Sequence, residues 1–398
     1  MIDFDTFHAD LATQSQRRES AAKHARGLGP IAFVIEGLGA YTFVPEANSI
    51  AIHPGSANAS TIVELSHGHW EAFVTERLTR YGLLYNTPLR FRAGEFADLC
   101  RWEPVLRLVF HGRPVYEPAQ QFFDREGAPL DLTRSFTLAD DPHDLAHFLQ
   151  TVGFVHVRDV FDPGEVAALG REVDRLVELA RPDDVHSWWT RTSTGDPAVC
   201  QLKYGARDSA MVTELHDDPR ILALVTASGE RDLAPNLDRN EGTKIIIKHP
   251  GASEGLTDLP LHTDCGMGFH PIACQMVLVG VQLEPGTGRG GQIHMTAGSR
   301  IASTPDPAIA DVTSWPIVAL DTAPGDCTVH FSHTLHGAPA PSGGLKKDER
   351  ARRTIYPCFA PPSLFAALDP YGDLVAVMQS ATGVTTTVDE QLGRSAAR

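Results

Sequence analysis

Between residues 31 and 65, apolar and polar residues alternate in short runs that are separated by turn signals at Gly37 and Gly55. A period of two places successive side chains on opposite faces of a strand, so this region is predicted to be a meander of short β-strands. Ser66 then precedes the run HGHWEAFVTERL, in which apolar residues recur every three or four positions. This pattern predicts a capped amphipathic helix, and we expect an α+β fold over the first 120 residues.

Residues 121–142 are polar, are interrupted by Gly and Pro, and show no sustained period. Such a stretch is typical of a domain boundary, and we expect a smaller domain over residues 1–125 and a larger one over residues 139–398. The larger domain opens with periodic apolar runs that predict flanking helices. It continues with six short runs of strand-forming residues between Gly- and Pro-rich turns: KIIIKHP, CQMVLVGVQL, GQIHMTA, PIVALDT, CTVHFSHTL and TIYPCFA. These runs predict a mainly β fold, an antiparallel sandwich or jelly roll.

The composition is that of an ordinary globular protein, with 42% hydrophobic and 21% charged residues among 398. The formal net charge of −16 opposes the phosphate attraction on which nucleic-acid binding depends, so nucleic acid is not an expected partner. No apolar run is long enough to span a membrane, and the first residues carry no secretory pattern, which predicts a cytoplasmic protein. The six cysteines include no CxxC pair, so neither a disulfide framework nor a thiolate zinc site is expected.

The pattern His-x-Asp is the first sign of chemistry in the chain. Two imidazoles and one carboxylate on one face of a metal leave three coordination positions open, which is the arrangement of non-haem Fe(II) oxygenases. The pattern alone is weak evidence, because this chain contains it three times, at residues 8–10, 216–218 and 262–264. The residues around each copy therefore have to show which one is the best candidate for a metal site.

Two of the three copies have an ordinary structural interpretation. His8 lies in a predicted amphipathic helix, and Asp218 precedes Pro219 as the cap of another helix. The third copy lies where a strand, LPLHTD, gives way to a Gly-rich loop, and strand alternation would direct His262 and Asp264 to the same side. We therefore select His262 and Asp264 as metal ligands.

The second imidazole should come from a distant strand, and the stretch GDCTVHFSHTLHG offers His330, His333 and His336. On a strand, His330 and His336 share a face, whereas His333 lies on the other face with apolar neighbours. His336 is the preferred ligand because it ends the strand just before Gly337. His330 and His333 are more often explained as hydrogen-bonded core residues.

Six motifs occur in an order that resembles the phytanoyl-CoA dioxygenase family of 2-oxoglutarate oxygenases, over about residues 143–362. They are GFVHVRDVFDPGEVAALGREVDRL, KHPG, LHTDCG, GGQIHMTAGSR, GDCTVHFSHTLHG and ARRTIYPCFA. The resemblance implies a double-stranded β-helix, a form of jelly roll with flanking helices. It also implies that Fe(II) is bound by His262, Asp264 and His336, and that 2-oxoglutarate and O2 are co-substrates.

The resemblance further implies that an arginine at the start of the last strand binds the far carboxylate of 2-oxoglutarate. Arg352 matches that position, and Arg353 is the alternative, because the preceding loop, APAPSGGLKKDE, is longer than the family pattern and blurs the register. A planar guanidinium can bind a carboxylate through two parallel hydrogen bonds, which supports an arginine in this role. Lys248 matches a family position near the co-substrate.

The resemblance implies an enzyme, a dioxygenase that releases succinate and CO2 and hydroxylates or desaturates a C–H bond of a small, hydrophobic organic molecule. Related halogenases lack the carboxylate that Asp264 provides. Substrate contacts are expected in the segment HSWWTRTSTGDPAVCQLKYGA, with Trp188, Trp189, Lys203 and Tyr204 as candidates. The alternative is a metal-binding jelly-roll sensor or binding protein without oxygenase activity.

The N-terminal region resembles the sterol-carrier-like fold in IEGLGAYTFVPEANSIAIHPGSANASTIVELSHGHWEAFV, where strands are followed by a helix. This second resemblance implies either an apolar groove for a lipid-like substrate or a homodimer contact. Its alternative is a purely structural appendage.

Overall fold

A computed structural model describes residues 2–182, 184, 186–252, 257–266, 271–288, 290–341, 351–366, 370–371 and 388–396. The fold is mainly β, with mixed and antiparallel sheets. Its buried apolar residues form two large clusters, one within the first 115 residues and one from residue 136 onward. We call the parts of the chain around these two cores the N-terminal unit and the C-terminal unit.

The N-terminal unit packs helices against a five-stranded sheet. Its helices are α1 (Phe4–Thr13), α2 (Ser15–Ala22), α3 (His67–Val74), α4 (Arg80–Asn86) and α5 (Phe96–His111). Its strands are β1 (Ile31–Ile35), β2 (Gly39–Pro45), β3 (Ile50–Pro54), β4 (Thr61–Leu65) and β5 (Arg90–Ala93). Ser66 caps α3 as predicted, because its hydroxyl accepts a hydrogen bond from the backbone N–H of His69.

The strand order corrects the predicted meander. The observed order is β3-β2-β1-β4-β5, in which β4 pairs in parallel with β1. A meander would have placed β4 beside β3. The segment between β3 and β4 instead crosses over, so that β1 and β4 lie at the centre with alternate side chains in the core, among them Phe33 and Val63.

The C-terminal unit contains helices α6 (Pro142–Val152), α7 (Pro163–Leu179), α8 (Ala210–Glu214), α9 (Pro219–Ala227) and α10 (Pro362–Phe365), and α11 (Val388–Ala396) follows it in the chain. Its first strands are β6 (Ser135–Phe136), β7 (Phe154–Val157), β8 (Ser187–Arg191), β9 (Pro197–Leu202), β10 (Ala234–Pro235), β11 (Lys244–Lys248) and β12 (Leu259–His262). The rest are β13 (Val277–Gln282), β14 (Ile293–Thr296), β15 (Ile317–Leu320), β16 (Cys327–Phe331), β17 (His336–Ala338), β18 (Arg352–Tyr356) and β19 (Cys358–Ala360).

These strands form a ten-stranded sheet and a four-stranded sheet. The main path of the large sheet runs β6-β7-β16-β13-β18-β11-β9-β8, and the small sheet has the order β12-β17-β14-β15. From β11 to β18 the chain passes repeatedly between the two sheets. Strands β11, β13, β16 and β18 belong to the large sheet, and β12, β14, β15 and β17 belong to the small one.

Strand alternation gives the large sheet two chemically different faces. Its outer face carries apolar residues such as Val279, Val329 and Ile355, which belong to the same core cluster as the apolar residues of α6, α7 and α9. Its inner face carries polar residues, and there Gln282 accepts a hydrogen bond from the hydroxyl of Thr354. The small sheet lies against this inner face, since the ring of His336 is 4.6 Å from that of His330.

Helix α11 departs from the expected extent of the larger domain. Val388 and Leu392 pack against the core of the N-terminal unit, and the side chain of Gln391 donates a hydrogen bond to the carbonyl of Leu84 at 3.1 Å. The last described helix thus belongs to the first core. Among the described residues, no helix has the length and apolar character that crossing a membrane requires.

Candidate metal centre

Three side chains meet between the two sheets. His262 ends β12 and His336 begins β17, and these two residues are direct partners in the antiparallel pairing of the two strands. One ligand atom from each of His262, Asp264 and His336 lies within 4.8 Å of the others. The Nε2 atom of His262 is 3.6 Å from Oδ1 of Asp264. In the described part of the chain, no other group of three such side chains converges in this way.

Both imidazoles are held in the tautomer that a metal needs. The Nδ1 atom of His262 is 2.8 Å from the carbonyl oxygen of Pro260, and that of His336 is 2.9 Å from the carbonyl oxygen of Thr334. A carbonyl can only accept, so each Nδ1 carries the proton and each Nε2 keeps its lone pair. Hydrogen bonds of this kind orient metal-binding histidines.

The protonation states also suit metal binding. Burial is the main cause that lowers the pKa of His336 to about 4, which keeps this imidazole neutral at pH 7. Burial alone would raise the pKa of Asp264, but the nearby Lys244 ammonium opposes it, and the pKa lies well below its usual value. The site therefore offers the neutral imidazole of His336 and the carboxylate anion of Asp264.

One oxygen of Asp264 has no partner among the residues that the structure describes. Its Oδ2 atom is buried and accepts no hydrogen bond from them, whereas Oδ1 is 3.4 Å from the Nζ atom of Lys244. A buried carboxylate oxygen is costly unless something binds it. Two imidazoles, one carboxylate and this free oxygen fit an Fe(II) ion.

Lys244 and His330 are site neighbours that the sequence analysis did not select. Lys244 contacts Asp264, and both ring nitrogens of His330 are buried without a partner beside His336. A signal for Lys244 was present in KIIIK, since alternation places Lys244 and Lys248 on the same face of a strand, and interior lysines are rare. The sequence favours a hydrogen-bonded core residue at His330, but neither of its ring nitrogens has a hydrogen-bond partner among the described residues.

Arg352 and Arg353 lie on opposite faces of the large sheet. Arg353 is on the outer face and pairs with Glu284 and Asp174. Arg352 is on the inner face, where its Nη1 atom donates to Gln282 and Thr354, and its Nε atom is buried without a partner. None of the described carboxylates lies within ion-pair distance of Arg352.

Lys248 lies beside Arg352. The two residues are partners in the pairing of β11 with β18, and both side chains are buried. The Nζ atom of Lys248 donates to the carbonyl oxygens of Thr257 and Ala338, at 3.1 and 2.8 Å. Burial, followed by repulsion from Arg352, lowers the pKa of Lys248 to about 7. Two adjacent buried cationic side chains favour the binding of an anion.

The four candidate substrate residues separate into two groups. Trp188 belongs to a row of directly paired residues that crosses four strands and continues through Gln201 and Ile246 to Thr354. Because Thr354 is on the inner face, Trp188 lies on that face as well. Lys203 is buried, with its ammonium 5.3 Å from the centroid of the Trp188 ring. The indole N–H of Trp188 and the side-chain amide nitrogen of Gln201 are buried and have no hydrogen-bond partner in the described part of the chain.

Trp189 and Tyr204 have different surroundings. Trp189 packs against the core of the outer face, and its indole N–H donates to the hydroxyl of Ser187 at 3.0 Å. Tyr204 is buried in a turn with left-handed backbone, and its hydroxyl accepts a hydrogen bond from the N–H of Glu241. The Glu241 carboxylate lies 3.7 Å from Lys244. Tyr204 therefore supports a neighbour of the metal centre.

The two other His-x-Asp copies have structural surroundings. His8 is buried in the N-terminal unit, where its ring stacks on Tyr41 at 3.9 Å. Asp218 caps α9 and pairs with Arg220. Neither residue joins the cluster between the sheets.

Comparison with known proteins gives a family match and several distant structural similarities. Residues 149–346 match the sequence profile of the phytanoyl-CoA dioxygenase family, PhyH. This match lies within the region whose motifs resemble that family and confirms the resemblance there. No curated protein matches the chain significantly. The resemblance of the N-terminal region to the sterol-carrier-like fold stays a prediction.

Three solved structures illustrate the structural similarity. The non-heme alpha ketoglutarate dependent epimerase SnoN from nogalamycin biosynthesis is 21% identical over 55% of this chain and 83% of its own, with a TM-score of 0.40. AviO1 from Streptomyces viridochromogenes Tue57 is 21% identical over 56% of this chain and 96% of its own, with a TM-score of 0.42. EctD from S. alaskensis, solved with 2-oxoglutarate and 5-hydroxyectoine, is 18% identical over 66% of this chain and 90% of its own, with a TM-score of 0.46.

Proposed function

We propose, from the premise that residues 149–346 belong to the phytanoyl-CoA dioxygenase family, that this protein is an Fe(II)- and 2-oxoglutarate-dependent dioxygenase. The observation that carries the proposal is the convergence of His262, Asp264 and His336 with one carboxylate oxygen left free. The reaction would hydroxylate or desaturate a C–H bond of a small organic molecule. Retention of Asp264 favours these outcomes over halogenation.

The fold we propose for the C-terminal unit is a double-stranded β-helix. The strand order supports this fold. There are two four-stranded arrays, β16-β13-β18-β11 and β15-β14-β17-β12, and the chain passes back and forth between them as in a jelly roll. The metal site would lie at one end of the space between these arrays. We also propose two domains, as expected over residues 1–125 and 139–398, except that α11 returns to the first.

Each residue of the site has a distinct task in this proposal. His262 and His336 supply nitrogen donors, Asp264 supplies the charge, and the ammonium of Lys244 orients that carboxylate. When bound, Fe(II) with 2-oxoglutarate and O2 supplies the oxidising chemistry, and the co-substrate leaves as succinate and CO2. The imidazole of His336 need lose no proton at pH 7 before it binds the ion.

Arg352 is proposed to bind the far carboxylate of 2-oxoglutarate, with Lys248 beside it. Arg352 has free hydrogen-bonding capacity on the inner face, whereas the guanidinium of Arg353 is already engaged by two carboxylates. An anion that reached Arg352 would gain a charge-assisted hydrogen bond in a buried setting. The order of preference between the two arginines therefore follows from the face that each occupies.

For the substrate, we propose a contact surface formed by Trp188, Gln201 and Lys203. The N–H groups of Trp188 and Gln201 are buried donors that lack acceptors, and buried donors of this kind usually have a partner. A substrate that carries a carboxylate, carbonyl or hydroxyl oxygen next to an apolar body would satisfy them. Trp189 and Tyr204, which contact the protein itself, are less suited to this role.

Anaerobic titration with Fe(II) and 2-oxoglutarate tests the function directly. We expect a weak visible charge-transfer band that requires both additions, followed by slow succinate formation when O2 is admitted. A panel of lipid, terpenoid and aromatic acids should then include compounds that accelerate succinate release. A band without any succinate release, with or without the panel, would instead indicate a sensor that binds the same ligands.

The substrate surface is tested by a matched pair of variants. Trp188→Phe keeps one aromatic ring and removes the N–H together with the rest of the five-membered ring, and should raise KM for an accelerating acid by about tenfold, the effect of one lost charge-assisted hydrogen bond. Trp189→Phe makes the same chemical change on the outer face and should leave KM unchanged. Equal effects of the two substitutions on KM would argue against the proposed surface.

A further inference from the structure

The N-terminal unit contacts the chain immediately after the metal ligand Asp264. The carbonyl oxygen of Gly266, two residues beyond that ligand, accepts hydrogen bonds from the backbone N–H and the hydroxyl of Thr79, at 2.7 and 3.2 Å. The N–H of Ile272 donates to the carbonyl of Glu76 at 2.7 Å. Two backbone positions that follow Asp264 are thus fixed to a segment nearly 200 residues earlier.

The packing at this contact leaves no spare room. A Cβ atom on Gly82 would lie 2.4 Å from the carbonyl oxygen of Gly266. A Cβ atom on Gly266 would lie 2.6 Å from the side chain of Thr79 and 2.7 Å from that of Ile272, and the φ of +78° at Gly266 also favours glycine. The two glycines allow the backbones to approach to hydrogen-bonding distance.

The N-terminal side of the contact holds a strained residue in place. Glu76 adopts a left-handed backbone with φ of 59°, which is unfavourable for a residue other than glycine. Its carboxylate accepts two hydrogen bonds from Arg113, at 3.0 and 2.7 Å. Strain of this kind persists only where the surrounding structure fixes it. Here it directs the Glu76 carbonyl towards Ile272.

A buried ionic network fixes the same segment from behind. Arg80, which follows Thr79, pairs with Glu103 and with Asp306 of the C-terminal unit, and the hydroxyl of Tyr81 donates to the same Asp306 carboxylate at 2.8 Å. These groups are buried, and a buried pair that loses one partner is strongly destabilised. The position of Thr79 relative to the C-terminal unit is thereby fixed.

We propose that the N-terminal unit is a positioning element of the metal centre, acting through Glu76, Thr79 and Gly82 on Gly266 and Ile272. The inference rests on the proposed iron site. Its physical basis is that a backbone shift at Gly266 moves Asp264, only two residues away, and metal affinity depends on groups that orient the ligands. The N-terminal unit would then contribute to iron affinity without supplying a ligand.

Gly82→Ala tests this inference, with Gly68→Ala as its control. Both glycines lie in helices of the N-terminal unit, but a Cβ atom on Gly68 would meet nothing within 4 Å. Alanine is the better helix former at either position, so backbone preference cannot explain a loss. We expect Gly82→Ala to weaken Fe(II) binding by about tenfold, the lower end of what loss of an outer contact causes. Gly68→Ala should bind Fe(II) like the wild type.

Two measurements separate positioning from a general loss of stability. Fe(II) affinity is measured by anaerobic titration, and hydrogen exchange at the amide of Ile272 reports the contact in the absence of metal. We expect faster exchange and weaker Fe(II) binding together in Gly82→Ala. Equal Fe(II) affinity in the two glycine variants would overturn the proposal, whatever the exchange rate. Because wild-type Fe(II) binding is the reference, this failure would leave the proposed function untouched.

A second pair of variants applies if Gly82→Ala does not fold. Thr79→Ser retains the hydroxyl that bonds to Gly266 and caps α4, and Thr79→Ala removes it. We expect the alanine variant to bind Fe(II) several-fold more weakly than the serine variant, since one hydrogen bond is worth about 1 kcal/mol. Equal Fe(II) affinities of these two variants would also overturn the proposal.

Discussion

Both faces of the large sheet bury polar side chains, but the two faces differ in whether these side chains have hydrogen-bond partners. On the outer face, Arg353 is buried but bonds to Glu284, Asp174 and the carbonyl of Gly170. On the inner face, Arg352 is equally buried, yet its Nε atom has no acceptor and no described carboxylate pairs with it. The two residues are adjacent in sequence and share a strand.

This contrast separates polar groups that stabilise the fold from polar groups that are suited to bind a ligand. Polar groups of the outer face satisfy each other, so they stabilise the fold. Among the described residues, unused hydrogen-bonding atoms remain on the inner-face residues His330, Arg352, Gln201 and Trp188, and on Asp264 beside that face. Because an unsatisfied buried polar atom costs about 1–3 kcal/mol, a cluster of them indicates a bound partner. Substitutions on the two faces should therefore differ in what they change.

Removing Asp264 should have the largest effect on ligand binding. We expect Asp264→Ala to abolish stable Fe(II) binding and all succinate formation, because only two of three protein ligands would remain. Asp218→Ala, in another His-x-Asp copy, should keep its iron and lose only about 1 kcal/mol of stability with its helix cap. Metal analysis after desalting measures iron content. Full iron content in Asp264→Ala, with turnover retained, would refute the metal-site assignment.

Substitution of the two adjacent arginines tests most directly whether the inner face binds a ligand and the outer face stabilises the fold. Arg352→Leu should raise KM for 2-oxoglutarate by an amount that corresponds to about 2–5 kcal/mol, while the free energy of unfolding stays the same or rises. Arg353→Leu should leave that KM unchanged and lower the free energy of unfolding by about 3 kcal/mol, because Glu284 would lose its partner. Urea denaturation and succinate assays measure the two quantities. A large KM effect from Arg353→Leu instead would reverse the assignment.

Lys248 should give a smaller effect that depends on pH. Its pKa is lowered to about 7, so the ammonium is present below this pH and is lost above it. The affinity for 2-oxoglutarate should therefore fall by about tenfold, or about 1.4 kcal/mol, as the pH rises from 6 to 8. In Lys248→Met this fall should disappear. An identical pH profile in the two proteins would remove Lys248 from the co-substrate site.

The same pKa shift predicts how stability changes without ligand. The folded pKa of Lys248 is below its ordinary value of 10.5, so protonation favours the unfolded chain. The resulting penalty is complete below pH 7 and fades as the pH rises towards 10.5. Lys248→Met should consequently raise Tm more at pH 6 than at pH 9, which thermal unfolding at the two pH values can measure.

Features that depend on near neighbours in the chain could be predicted from the sequence. Alternation in LPLHTD directed His262 and Asp264 to one side, and the residues around Ser66 and Asp218 identified helix caps. Cap chemistry and strand alternation act within about four residues, so they can be read locally. The order of six motifs then identified the family, which the match over residues 149–346 confirms.

The relations between distant segments depend on tertiary packing and could not be predicted from the sequence. The parallel pairing of β4 with β1 replaced the expected meander, and α11 returned to the N-terminal core. Tertiary packing also places Arg352 and Arg353 on opposite faces of the large sheet, and it does the same for Trp188 and Trp189. The contact of Thr79 with Gly266 joins residues 187 positions apart. Such pairings depend on how whole sheets and helices pack, and no local pattern of polar and apolar residues encodes them.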